Sequence, residues 1–116
     1  MKPFKPRDSP EAKIQKALIS FLQKKGWIVK VTHGNIYQQG LPDLYCIHEN
    51  FGQRWIDVKN PKAYSFTRAQ KDFWPEMIKC GVGVWILTAA TKSEYEKLFK
   101  PPNLWKYDSP VFKNLR

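Results

Sequence analysis

The chain has 116 residues, with 20 Lys and Arg against 10 Asp and Glu, a formal net charge of +10 and a pI near 9.7. Hydrophobic residues make up 42% of it, enough for the core of one domain and too many for a disordered chain, while no apolar run reaches the roughly 18 residues of a membrane span. Two cysteines, Cys46 and Cys80, cannot make a zinc quartet or a disulfide scaffold, and no hydrophobic leader opens the chain, so a cytoplasmic, intracellular protein with reduced thiols and no membrane partner is expected.

The charge points to a polyanion, because each neutralised phosphate releases condensed counterions. Nucleic acid is the leading partner, although a basic protein that merely stays soluble would carry the same sum. Acids are scarce in the middle of the chain. Between Ala12 and Lys71 they are Asp43, Glu49 and Asp57, set among ten Lys and Arg.

Residues 1–8 read as a basic arm with no core of its own, 9–100 as the core domain and 101–116 as a tail that packs back on it through Leu104, Trp105, Tyr107 and Phe112. Ser9 caps a helix over 10–25, with Pro10 at its first position and Ile14, Leu18, Phe21 and Leu22 as its apolar stripe. A β-branched strand follows over 27–33, then a loop over 35–42. Leu44–His48 and Gln53–Lys59 read as two strands joined by a turn at 49–52.

Thr67 and Gln70 form a capping box opening a second helix to about Lys79, with a kink expected at Pro75. Val82–Thr88 is the nearly all-apolar strand of a sheet covered on both faces, and 91–99 reads as a third helix. A strand reached through a helical crossover implies a parallel pairing, hence an α/β fold with a mixed sheet flanked by helices.

Some polar residues stand where apolar ones belong. At 100° per residue, Glu11 and Gln15 fall on the apolar stripe of the first helix, and Gln70 falls with Phe73, Trp74 and Met77 on the second. A first-turn acid favoured by the helix dipole and a closed capping box would each explain part of this. Asp57 and Lys59 share one face of their strand with Trp55, which a solvated sheet face would also explain. Asp43, after Gly40-Leu-Pro, could cap a turn.

If the two central strands pair as a hairpin, Asp43 and Asp57 reach the same sheet edge, where two carboxylates repel unless a cation lies between them. Mg²⁺ suits such a pair, since it takes oxygen ligands and accepts phosphate oxygens for the rest. Lys59 beside it could orient a water and stabilise charge on phosphate.

Glu11-x-x-x-Gln15, Gly40-Leu-Pro-Asp43, Asp57-Val-Lys59 and Gln70, in that order, resemble the PD-(D/E)xK nuclease superfamily and within it the VRR-NUC branch, over roughly residues 9–88. The resemblance implies a restriction-endonuclease-like αβββαβ core and metal-dependent hydrolysis of DNA phosphodiesters with Mg²⁺ or Mn²⁺. It implies metal ligation by Asp43, Asp57 and the carbonyl of Val58, with Glu11 joining directly or through water. Lys59 is then the catalytic lysine, and Gln15 and Gln70 support the site. Many relatives carry Glu at the position of Asp57. Stand-alone units of this size resemble phage and bacterial versions, some of which act on branched DNA, a Holliday junction or a flap, as homodimers.

Lys24, Lys25, Lys30, Lys62, Tyr64 and Arg68 are the candidate DNA contacts. His33 and His48 are not needed by a lysine-and-metal mechanism, and Trp27, Trp55, Trp74 and Trp85 belong in the core. The competing reading is a non-catalytic basic DNA-binding module that keeps the nuclease fold.

Overall fold

The computed structural model describes residues 9–32 and 36–107. The basic arm, His33 and Phe112 lie outside them.

Helix α1 (Pro10–Lys24) starts where Ser9 accepts the Ala12 N–H at 3.0 Å, with Pro10 in the first turn. Strands β1 (Ile28–Val31), β2 (Leu44–His48), β3 (Gly52–Val58) and β4 (Val84–Leu87) form one sheet in that order. β1, β2 and β3 pair antiparallel, whereas β4 returns through helix α2 (Arg68–Lys79) and pairs parallel with β3. The mixed α/β sheet is therefore as expected. The turn into β3 needs Gly52, whose φ of 81° lies in the left-handed region.

Each helix covers one face. Leu18 and Leu22 of α1 pack with Leu44, Cys46, Ile56, Val58, Leu87 and Leu98, and Trp74 and Met77 of α2 pack with Val84, Ile86 and Leu104. The period of two in β3 sends Ile56 and Val58 to the α1 side and leaves Trp55 and Asp57 on the α2 side. Three of the four core tryptophans use their N–H groups: Trp27 on the Tyr95 hydroxyl, Trp74 on the Gly40 carbonyl and Trp85 on the Lys100 carbonyl.

Several boundaries differ from expectation. β1 and β4 span four residues each. α2, by contrast, runs through Pro75 to Lys79 as expected. The third helix divides into α3 (Lys92–Tyr95) and a 3-10 turn (Glu96–Phe99); Tyr95 and Phe99 pack on each other at 5.2 Å between ring centroids, and Tyr95 also meets Phe21 of α1. Within the tail, Leu104 is buried in the α2-side core. Asn103 brackets Ile86, accepting its N–H at 2.9 Å and donating to its carbonyl at 3.0 Å. Residues 101–107 thus complete the edge of β4 and are part of the same packed unit.

Candidate active site

The β2–β3 register pairs Leu44 with Ile56, and one residue further Asp43 stands opposite Asp57. Each carboxylate holds the other strand. Asp57 Oδ1 accepts the Asp43 N–H at 3.1 Å, and Asp43 Oδ2 accepts the Val58 N–H at 2.9 Å. The repulsion expected between two acids here is offset by these two amides and by Lys59, whose Nζ lies 3.1 Å from Asp57 Oδ2.

Extending the register one more step sets Pro42 opposite Val58. A proline has no N–H to offer the ladder, and the Val58 carbonyl faces the same side as the Val58 N–H that Asp43 holds. Asp43, Asp57 and the Val58 carbonyl thus all lie at this end of the sheet, and each is a hard oxygen donor of the kind that Mg²⁺ or Mn²⁺ takes. Pro42 is itself fixed from β1: the Thr32 hydroxyl donates to its carbonyl, and the Thr32 N–H donates to Asp43 O at 3.0 Å.

A solvated sheet face does not account for Asp57 and Lys59, which are 0% and 5% exposed. Helix α2 buries them. Lys59 Nζ donates to Gln70 Oε1 at 3.2 Å and lies over the rings of Phe66 and Trp74, at 4.9 and 5.9 Å from their centroids. The same Gln70 oxygen accepts the Thr67 N–H at 3.0 Å, and Thr67 Oγ1 accepts the Gln70 N–H at 3.1 Å. The capping box and the lysine support, alternatives in sequence, are one arrangement.

Gly40 serves the same docking. Its φ is 87°, and a Cβ there would lie 2.9 Å from the Ala69 carbonyl oxygen, while its own carbonyl accepts from Trp74 Nε1 at 2.7 Å. The loop that delivers Asp43 is thus clamped onto the first turns of α2.

Glu11 and Gln15 are half-buried on the stripe of α1, as the helical arithmetic requires. The carbonyl of Lys25, just past the end of α1, meets His48 Nε2 at 3.2 Å, at the hairpin end of the sheet, so the start of α1 lies toward Asp43 and Asp57. Among the described residues no three His, Cys, Asp or Glu gather into a metal-binding group. Glu11 therefore shares an end of the sheet with the two aspartates without completing a three-acid cluster.

The DNA-contact candidates separate into groups. Lys24 and Lys25 sit beside His48, four to five strand residues from the aspartates, or about 16 Å at 3.3 Å per residue. Lys30 is exposed on the Asp57 face, opposite Tyr45. Lys62 and Tyr64 lie in the loop that follows Lys59, and Arg68 opens α2 with its side chain 3.3 Å from Asp72. His48 also accepts the Asn50 N–H at 3.0 Å and is a structural part of the hairpin. Sequence reasoning missed Phe66 as a wall of the lysine's pocket, since no periodicity reaches a loop residue. Trp74 was foreshadowed by its place one turn beyond Gln70.

No family model matches the sequence, and no curated protein matches it either. A solved structure described as "VRR_NUC domain" matches with a TM-score of 0.64 at 18% identity, covering 79% of this chain and 97% of that one. At that identity the likeness speaks for architecture, and the chain has the fold of a VRR_NUC domain.

Proposed function

We propose that the protein is a nuclease that hydrolyses DNA phosphodiester bonds with the help of Mg²⁺ or Mn²⁺. The observation that carries this reading is the buried constellation at the end of the sheet, where Asp43 and Asp57 brace each other's strands and Lys59 is held between Asp57 and Gln70. Asp43, Asp57 and the Val58 carbonyl would hold the cation. When bound, it supplies Lewis-acid polarisation of phosphate oxygens and a lowered pKa for water.

The chain's own residues do the rest. An ammonium has three N–H donors; with Asp57 and Gln70 engaging Lys59, one remains for a phosphate oxygen, where it offsets the charge that builds on the phosphorane-like transition state. Phe66 and Trp74 keep water away from Nζ, which strengthens that interaction. Lys62 and Tyr64, in the loop that follows the lysine, would meet the flanking backbone. Branched DNA as preferred substrate and a homodimer as working form are the finer parts of this proposal, because symmetric cutting of two strands suits two-fold symmetry.

One observation favours a second reading. A site where no three His, Cys, Asp or Glu gather among the described residues would also serve a non-catalytic DNA-binding module, for which binding is salt-sensitive and indifferent to metal. Linear, flapped and four-way DNA incubated with protein in Mg²⁺, Mn²⁺ or EDTA separates the two. The nuclease reading expects metal-dependent cleavage that Asp57→Ala and Lys59→Ala abolish. Cleavage that survives both substitutions refutes it, and metal-indifferent retention without cleavage supports the module.

A further inference from the structure

A cleft of about 410 Å³ opens between the loop after β3 and the C-terminal 3-10 segments, and Lys97, Lys100 and Lys106 all line it together with Tyr64 and Tyr107. None of the three lysines belongs to the catalytic constellation. Glu94 reaches this group through Lys97, at 2.6 Å from its Nζ, and is otherwise occupied by the N–H and hydroxyl of Thr88. Among the described residues neither Lys100 nor Lys106 has an ion-pair partner. With Lys97 already paired to Glu94, two uncompensated ammonium groups, those of Lys100 and Lys106, remain at one concavity, and an anion between them relieves their repulsion.

The cleft is joined to the catalytic lysine by a short run of rings. Lys59 Nζ lies 4.9 Å from the Phe66 centroid, Phe66 lies 6.2 Å from Tyr107, and Tyr64 touches both, at 5.8 and 5.3 Å. Laid end to end, the steps put Tyr107 no more than about 11 Å from Lys59 Nζ, a span of roughly three nucleotides at about 3.4 Å of rise per nucleotide along one strand. Tyrosine rings beside a basic wall suit a sugar–phosphate chain better than an isolated small anion, since the rings offer faces for a base or sugar while the lysines meet phosphates.

We propose that this cleft, through Lys97, Lys100 and Lys106, binds the phosphates of a nucleic-acid strand within about three nucleotides of the bond at Lys59. The inference rests on the nucleic-acid reading above and names where the substrate's backbone leaves the site.

The test uses the full chain with the double variant Lys100→Ala/Lys106→Ala and, as a control of equal charge loss, Lys24→Ala/Lys25→Ala at the other end of the sheet. Binding of a duplex oligonucleotide is measured in EDTA as a function of salt, with thermal melts to establish that all proteins are folded. Loss of two phosphate contacts lowers the slope of log K against log salt by about 1.8, or roughly thirtyfold in affinity at 0.15 M salt against a 1 M reference. The expected result is that loss in the first variant and a smaller one in the control.

An unchanged slope, or equal losses in both variants, overturns the proposal while leaving wild-type cleavage, and the nuclease reading, in place. Wild-type protein that retains no DNA even at low salt overturns both. Inorganic phosphate at matched ionic strength provides the last arm: if it stabilises wild type and not Lys100→Ala/Lys106→Ala while the DNA slope is unchanged, the cleft takes a small anion and the proposal fails.

Discussion

Removing both partners of the Asp57–Lys59 pair should cost clearly less than the sum of the two single removals. Asp57 is 0% exposed and Lys59 5%, with 3.1 Å between Nζ and Oδ2, so neither can recover its hydration when the other is gone. Lys59→Met strands a buried carboxylate beside Asp43. Asp57→Asn keeps an amide oxygen for the Asp43 N–H but leaves the ammonium only Gln70 and two ring faces. Each single change is expected to cost about 3–5 kcal/mol, a large part of the roughly 5–15 kcal/mol that holds a domain folded.

The double variant Asp57→Asn/Lys59→Met leaves no isolated charge and should be more stable than the sum of the singles predicts, by about 2–3 kcal/mol of coupling. Urea unfolding followed by fluorescence of the five tryptophans reads this directly. With a slope of about 1.5 kcal/mol per M, a loss of about 3 kcal/mol lowers the midpoint by about 2 M. Single variants that each cost less than about 1 kcal/mol, or a double variant additive to within about 0.5 kcal/mol, would refute the reasoning, because the pair would then be solvated and its members independent.

Four further outcomes follow from the same geometry. Because an ammonium and a cation compete for Asp57 Oδ2, millimolar Mg²⁺ should raise the unfolding midpoint of Lys59→Met more than that of wild type, measured against EDTA. Gln70→Ala removes both the cap and the lysine's acceptor and should cost about 2–3 kcal/mol, whereas an N-cap loss alone, tested by Thr67→Ala, should cost about 1 kcal/mol; thermal melts compare them. Gly40→Ala forces a side chain into the left-handed region and against the Ala69 carbonyl, so destabilisation of about 2 kcal/mol or more, with loss of cleavage, is expected. For Glu94, burial raises the carboxyl's pKa, but hydrogen bonds from Lys97 and Thr88 outweigh it and hold it below its ordinary 4.5. Its contribution is therefore complete above that value and fades as the pH falls through the lowered one, so the melting temperatures of wild type and Glu94→Gln should differ at pH 7 and converge on acidification.

What the sequence made legible was short-range. Ser9-Pro10, the Thr67–Gln70 spacing and the alternation in Trp55–Lys59 act within one turn or one pleat, and the structure has the cap, the box and the face that they specify. The pairing of Asp43 with Asp57 was legible as well, because a hairpin with a short turn leaves little freedom of register. Burial of Lys59 was not, since it depends on α2 docking through the contact of Gly40 with Trp74, 34 positions apart in the chain. Nor was the remoteness of Lys24 and Lys25, which only the direction of α1 across the sheet decides. Lys97, Lys100 and Lys106 carry no periodic signal, and their meeting with Tyr64 is a product of the tail's path around β4.

The Gln70 side-chain oxygen makes Lys59 and the start of a helix share one atom. Fraying at the front of α2 would loosen the anchor of Nζ, so the lysine can be no better ordered than that helical turn. Slow amide exchange at Gln70 and Lys71 then becomes a gauge of how well the lysine is held. Substitution there is also confined: Asn is a methylene too short to span both donors, and Glu spans them but adds a third charge beside Asp57. Whatever tunes this lysine must do so through its other neighbours, the Asp57 carboxylate and the rings of Phe66 and Trp74.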